Sequence, residues 1–143
     1  MATPPNLIFR AISAAHVFLY RATRGTFGGM TMGVPTLLLT TVGRKTGKAR
    51  TAPLMYGRDG DNFVLVASKG GSPEHPLWYT NMKANPEVEV QVGGNVRKVR
   101  YRDATPDERP RLWRMMAEQY PSYDDYQKKT TREIPVVVLE PRA

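Results

Sequence analysis

The sequence predicts a mainly β protein, an antiparallel barrel of about six strands with flanking helices and a helix at its N-terminus. Three observations carry that expectation. Short β-branched or alternating runs recur between residues 36 and 139, and the signals joining them are hairpin turns such as Asp59-Gly60 and Gly93-Gly94-Asn95. The regular strand–helix–strand alternation of a Rossmann sheet is missing. With 143 residues, 41% apolar and 24% charged, the chain suffices for one compact domain over residues 1–143, and no repeat, linker or low-complexity tract divides it.

Taken in order, Ile8, Ile12, Ala15 and Leu19 recur at helical spacing and predict a first helix ending near Gly25, with Gly28-Gly29 as a flexible connection. The period then changes. Thr36–Val42, Thr51–Gly57 and Asn62–Ala67 read as strands, the last two joined at Asp59-Gly60. His75–Lys83 reads as a short helix stopped by Asn85-Pro86, because proline disfavours helical geometry in the residue before it. Val88, Val90 and Val92 alternate with polar residues, as do Val99 and Tyr101 within Val96–Arg102, which predicts a half-buried antiparallel pair. Thr105-Pro106-Asp107-Glu108 is a helix start with a capping threonine and a glutamate able to return the bond. That helix is expected to bury Leu112, Met115 or Met116, and Gln119-Tyr120, and to stop at Pro121. A turn over Tyr123–Lys128 and a fully buried strand over Ile134–Leu139 complete the chain.

Charge is distributed unevenly. Every acidic residue lies at or beyond Asp59, whereas the first 58 residues carry eight Arg and Lys, so the net charge of +8 belongs entirely to that segment. Something anionic is expected to dock there. The absence of cysteine excludes disulfides, thiolate nucleophiles and Cys-based metal sites, and fits a reducing, cytoplasmic setting. No apolar run approaches the roughly 18 to 20 residues that span a bilayer. Asn6–Thr23 does mix apolar residues with Arg10 and Arg21, and Arg24 follows. That is the pattern of a membrane-surface helix, although packing on its own domain is the commoner use of an apolar face.

Two loops can take an anion. Gly43-Arg44-Lys45-Thr46-Gly47-Lys48-Ala49-Arg50 joins two predicted strands, offering four cationic side chains and glycine-flanked backbone N–H groups. It lacks the order of a P-loop and opens a strand rather than a helix, which argues against a nucleotide triphosphatase. Ala67-Ser68-Lys69-Gly70-Gly71-Ser72 turns from a strand into a short helix, where glycine lets a ligand approach the backbone. Either loop alone is equally a solvated turn; together they suggest one phosphorylated ligand, provided they meet in space. Tyr120, Tyr123 and Tyr126, spaced by three, gather on one face of a helical segment and offer flat bodies with hydroxyl tips, for a planar ligand or to close the barrel. Trp78 and Tyr79 by composition are core residues. Only His16 and His75 are present, and neither a Ser-His-Asp grouping nor a metal-ligand spacing is found. Such a chain suits a cofactor that brings its own chemistry.

The ordered set Gly43-Arg44-Lys45-Thr46-Gly47, Arg50, Pro53, Ala67-Ser68-Lys69-Gly70-Gly71, Pro76-Leu77-Trp78-Tyr79, Asn81, Lys83-Ala84-Asn85-Pro86 and Tyr120-Pro121-Ser122-Tyr123 with Tyr126 resembles the deazaflavin-dependent nitroreductase family of actinobacteria, over about Pro35 to Pro141. The resemblance implies a split β-barrel binding coenzyme F420 in its reduced form, F420H2, a deazaflavin with a phosphodiester and a polyglutamate tail. It implies that Arg44, Lys45, Thr46, Gly47, Arg50, Lys69 and the Gly70-Gly71 backbone hold the anionic groups, and that Pro53, Ala67, Ser68, Trp78 and Asn81 line the ring and its side chain. Tyr120, Tyr123 and Tyr126 then face the acceptor, with Ser68 or a tyrosine hydroxyl meeting its developing negative charge.

The implied reaction is hydride transfer to a quinone, an enone or a nitroaromatic. The expected partner is a small-molecule acceptor rather than nucleic acid. His75 stands where relatives often have asparagine and Met55 where some have tyrosine, and these departures point away from nitro-prodrug activation toward a quinone or enone reductase, with the first helix bringing it to the inner face of the cell membrane. Three other readings stay open: a non-catalytic carrier or sensor of F420, a flavin mononucleotide oxidoreductase on a related barrel, and a nucleic-acid-binding module using Arg44, Lys45, Lys48 and Arg50.

Overall fold

A helix, α1 (Pro5–Thr23), opens the computed structural model, which describes residues 5–142, with side chains from Ala11 onward. The side chains of Leu7, Ile8, Phe9 and Arg10 therefore lie outside the described residues. The helix ends where Arg24 and Gly25 adopt φ of 53° and 84°, and the Gly25 N–H bonds to Tyr20 O at 2.9 Å. The stripe expected to pack inward does not. Ile12 and Leu19 are exposed, while Tyr20 is buried, its hydroxyl donating to Gln91 O at 3.1 Å and accepting the Gly93 N–H at 2.8 Å. Tyr20 decides the helix's rotation because its apolar ring is covered while its polar tip is satisfied.

Eight strands follow: β1 (Met30–Thr31), β2 (Val34–Val42), β3 (Ala49–Met55), β4 (Gly57–Asp59), β5 (Asn62–Val66), β6 (Glu87–Val92), β7 (Asn95–Asp103) and β8 (Val136–Pro141). All six expected strands are present; the added ones are short. β1 forms just beyond Gly28-Gly29, the connection read as flexible. The strand read as Thr51–Gly57 divides at Tyr56, whose N–H leaves for Pro35 O at 3.0 Å. This break shapes the sheet. Every pairing is antiparallel, and the path β2–β6–β7–β8–β5–β4 is joined by β3 on β2. The one stretch β3–Tyr56–β4 thus pairs at its start with β2 and at its end with β5, so the sheet curls back on itself.

Alternation along the strands sorts two cores. Leu37, Leu39, Phe63, Leu65, Val88, Val90, Val99, Val137 and Leu139 face the interior together with Tyr79 and Met82. Val64, Val66, Val136 and Val138 face outward and are covered by Leu112, Met116, Tyr123 and Ile134. β5 and β8 are apolar on both faces for that reason. The covering helices are α3 (Arg109–Gln119) and α4 (Ser122–Lys128), and a further helix, α2 (Leu77–Ala84), begins after Pro76. The expected capping box at the start of α3 is made: Thr105 N–H donates to Glu108 Oε1 at 2.9 Å and Glu108 N–H to Thr105 Oγ1 at 3.3 Å. Gln119, expected inside, is exposed and donates to Tyr56 O at 3.2 Å, which braces the strand break.

Candidate functional site

The basic hairpin joins β2 to β3 and is held by its own backbone. Gly43 N–H bonds to Lys48 O and Gly47 N–H to Gly43 O, both at 2.8 Å, with Gly47 at φ 69°. Lys45, Lys48 and Arg50 are exposed, and among the described residues neither they nor Arg44 have a carboxylate within ion-pair distance. The Thr46 hydroxyl takes the Lys48 N–H at 3.2 Å. The hairpin is moored to α2 by the buried Asn81, whose Oδ1 accepts the Arg44 N–H at 3.2 Å while its Nδ2 donates to Thr41 Oγ1 at 3.3 Å. Arg44 Nε adds a long bond to Thr80 Oγ1 at 3.4 Å. Asn81 thereby acts on the site through Arg44.

The glycine loop is one 3-10 turn over Lys69–Gly71, with left-handed backbone throughout: φ is 45° at Lys69, 62° at Gly70 and 84° at Gly71. Gly71 needs glycine on two counts, since a Cβ there would lie 2.8 Å from Tyr126 O. That contact seats the loop against α4. Lys69 is exposed and pairs with exposed Glu74 at 3.6 Å, a contact worth little in water. Ser68 is buried, yet its hydroxyl makes no hydrogen bond among the described residues. The Ala67 methyl is fully enclosed in the barrel core, leaving only its backbone to the loop. Trp78, half-buried, packs on the same core and stands edge-on to Tyr79 at 6.5 Å.

Pro121 breaks the tyrosine run, so Tyr120 ends α3 while Tyr123 and Tyr126 lie on α4, and the three still converge. Ring centroids are 5.0 Å apart for Tyr120–Tyr123 and 6.3 Å for Tyr123–Tyr126, and the Tyr120 and Tyr126 hydroxyls are 3.0 Å apart. Their roles divide by depth. Tyr123 belongs to the outer core, and burial pushes its hydroxyl up to about 12; Tyr126 is raised by the Tyr120 hydrogen bond and then by burial. Both keep their protons at neutral pH. The Tyr123 hydroxyl lies 4.0 Å from Met55 Sδ.

That last contact ties the pieces together. Leu54, opposite Leu37, packs on the interior core, so Thr51, Pro53 and Met55 alternate onto the other face of β3. This face starts beside the basic hairpin and ends at the tyrosines. α1 lies over its first part, where Arg21 donates to Thr51 Oγ1 at 3.1 Å, and Ala14, Val17, Phe18, Arg21, Ala22 and Thr51 bound an open groove of about 560 Å³. The hairpin, β3, the tyrosines, the glycine loop and α2 are thus joined in a ring of contacts, through Met55, Gly71 and Asn81 and along the chain itself. α2 links the two cationic loops, following the glycine loop in the chain and bonding the hairpin through Asn81.

One residue of this ring escaped sequence reasoning. Arg132 donates to the carbonyls of Ser68 at 2.8 Å, Ser72 at 2.8 Å and Ala67 at 3.2 Å, and its Nη1 lies 3.1 Å from His75 Nδ1. Its partners are mainly backbone atoms about sixty residues away, and no side-chain motif marks such a contact. Burial lowers both Arg132 and His75 from their ordinary values, and the Arg132 charge lowers His75 further.

A curled antiparallel sheet with flanking helices and an N-terminal helix is the architecture of a split β-barrel. The chain belongs to the F420H(2)-dependent quinone reductase family, whose model matches residues 12–141. It is 46% identical over 131 residues to an F420H(2)-dependent quinone reductase of Mycobacterium tuberculosis, covering 89% of this chain and 88% of the relative. Among solved structures, an F420-H2 dependent reductase (FDR-A) is 47% identical with a TM-score of 0.69, covering 74% of this chain and 94% of its own. Another, described as a domain-swapped dimer, is 39% identical with a TM-score of 0.72, covering 96% and 100%. The resemblance carried by the motifs is borne out for family, fold and enzyme class.

Proposed function

We propose that this chain reduces a quinone, or a similarly electron-poor enone, with reduced coenzyme F420 held along the outer face of β3. The observation that carries the reading is the continuity of that face, which starts beside a hairpin whose Arg44, Lys45 and Lys48 lack carboxylate partners among the described residues and ends at the hydroxyl of Tyr123, beside Tyr120 and Tyr126. The residues fit an anionic cofactor. Arg44, Lys45 and Arg50 offer unneutralised charge, and Gly47 and Gly70 have open space where a Cβ would stand, which suits backbone approach to a phosphate or carboxylate. Lys69 joins them once released from Glu74.

When bound, the reduced deazaflavin supplies the hydride; the chain supplies position and a proton. Pro53 and Trp78 are flat apolar surfaces for the ring, and the unpartnered Ser68 hydroxyl and the backbone of Ala67–Gly71 lie at its edge. Tyr120 and Tyr126 face the acceptor, where a neutral hydroxyl donates to the oxygen that becomes negative and passes it a proton replaced from solvent. Tyr123 supports them from the core. The exposed Phe18, Ile12 and Leu19 of α1, with Phe27, Met30 and Met32 beyond it, stand near Arg21 and Arg24, and we assign this face to an anionic membrane surface, where lipid-soluble quinones reside. No described helix is long and apolar enough to cross a membrane.

The deciding experiment is a fluorescence titration with oxidised F420 at low and high salt, with flavin mononucleotide and single-stranded DNA in parallel, followed by turnover with menadione and cyclohexenone. Selective, salt-weakened F420 binding with menadione turnover is expected, and Lys69→Ala should weaken binding by about tenfold. Preference for flavin mononucleotide or DNA would overturn the reading, and tight binding without turnover would make the protein a carrier.

A further inference from the structure

The other half-buried arginines pair with acids, Arg102 with Glu108 and Glu140 and Arg109 with Glu133, and the described arginines without an acid partner are otherwise exposed. Arg132 is different. Among the described residues it has no carboxylate partner, and its three guanidinium nitrogens are spent on the carbonyls of Ala67, Ser68 and Ser72 and on His75 Nδ1. A charge taken partly out of water and satisfied only by carbonyl dipoles and an imidazole nitrogen is a costly arrangement.

In a planar trans peptide the N–H points opposite the C=O. With the Ala67 and Ser68 oxygens turned onto Arg132, the N–H groups of Ser68 and Lys69 point away from it. Neither donates a hydrogen bond among the described residues, although three other amides of the loop do: Ala67 N–H to Pro135 O, Gly71 N–H to Ser68 O and Ser72 N–H to Lys69 O. Lys69 also holds φ of 45°, a left-handed geometry that is unfavourable for a non-glycine residue and persists only where the surroundings fix it. Arg132 bonds the loop on both sides of that residue.

We propose that Arg132 is a positioning residue for cofactor binding, fixing the peptide planes of Ala67–Ser72 so that two free N–H groups and the Lys69 side chain are presented to the ligand. This rests on the functional reading above. Successive outward N–H groups in left-handed backbone form a concave anion site, and the guanidinium behind them occupies the opposite ends of the same dipoles. Because the fork is planar and multidentate, lysine cannot reproduce it.

The test compares wild type, Arg132→Ala and Arg132→Lys, the last guarding against a variant that fails to fold. Without cofactor, hydrogen exchange at Gly71 and Ser72 should accelerate by about tenfold or more in both variants, while amides of β5 and β8 keep their protection. Oxidised F420 should bind about ten- to a hundredfold more weakly, the KM for reduced F420 should rise by more than kcat falls, and about 20 mM guanidinium should restore part of the affinity of Arg132→Ala where equal sodium chloride does not. A merely structural defect would be worsened, not repaired, by a denaturant. Unchanged loop exchange, wild-type affinity, or no guanidinium rescue would each overturn the proposal. If wild type itself binds no F420, the functional reading falls and takes the cofactor role with it, while loop exchange still shows whether Arg132 fixes the loop.

Discussion

Tyr126 and Tyr123 look alike in sequence and differ in what surrounds them. Tyr126 is half-buried and shares a hydroxyl contact of 3.0 Å with Tyr120, whereas Tyr123 lies within the outer core. Tyr126→Phe should therefore lower menadione turnover by about tenfold while F420 affinity stays within about twofold, measured by steady-state kinetics beside the titration. Equal losses in both would make Tyr126 a cofactor contact. His75 supplies a second prediction at this scale. Its imidazole is lowered from 6.5 by burial, then by Arg132 and Lys83, with Asp103 opposing, and Arg132 donates to Nδ1, so the folded state holds the ring neutral. The stability this contributes is complete above 6.5 and is lost as the pH falls through the lower folded value. Thermal unfolding followed from about pH 8 to about pH 5 should show a decline beginning below about 6.5 that His75→Asn flattens. An identical decline in the variant would remove His75 as its source.

Among the elements, the packing of α4 on the glycine loop is the joint that sets the loop beside Tyr126, and with it the proposed anion site beside the proposed acceptor site. Gly71 and Gly70 separate backbone strain from packing, for both have positive φ but only Gly71 faces a neighbour. A methyl added at Gly71 would stand 2.8 Å from Tyr126 O and 3.1 Å from Lys129 Cβ. Gly70→Ala should cost about 1 to 2 kcal/mol, whereas Gly71→Ala should cost about 2 to 4 kcal/mol and lower turnover as well, because α4 must move with Tyr126 on it. Denaturant unfolding of the two variants reads the difference directly. Equal costs would mean that α4 yields without strain.

At the scale of the whole molecule, charge and apolar exposure coincide on the first third of the chain. The acid-free segment ends at Arg58, and within it Phe18 is 70% exposed and Met32 81% exposed, a combination that a freely solvated surface does not favour. If this face meets anionic lipid, the protein should sediment with phosphatidylglycerol vesicles but not with phosphatidylcholine vesicles, and Met32→Ser should reduce the bound fraction by about fivefold without changing F420 affinity. Binding that ignores lipid charge would sink the assignment.

Local chemistry was enough to expose much of this protein. Strand alternation, hairpin glycines and the Thr105–Glu108 capping box are statements about neighbouring residues, and they marked all six long strands and the start of α3 because their physics acts over a few residues. The cationic loops and the tyrosine triplet were legible for the same reason. What required the tertiary structure was every relation between distant segments: the bend at Tyr56, the outward rotation of Ile12 and Leu19 enforced by Tyr20, the mooring of Arg44 by Asn81, and the grip of Arg132 on the glycine loop. Those relations depend on backbone carbonyls and amides, which nearly every residue carries alike, so only the folded chain could decide which of them meet.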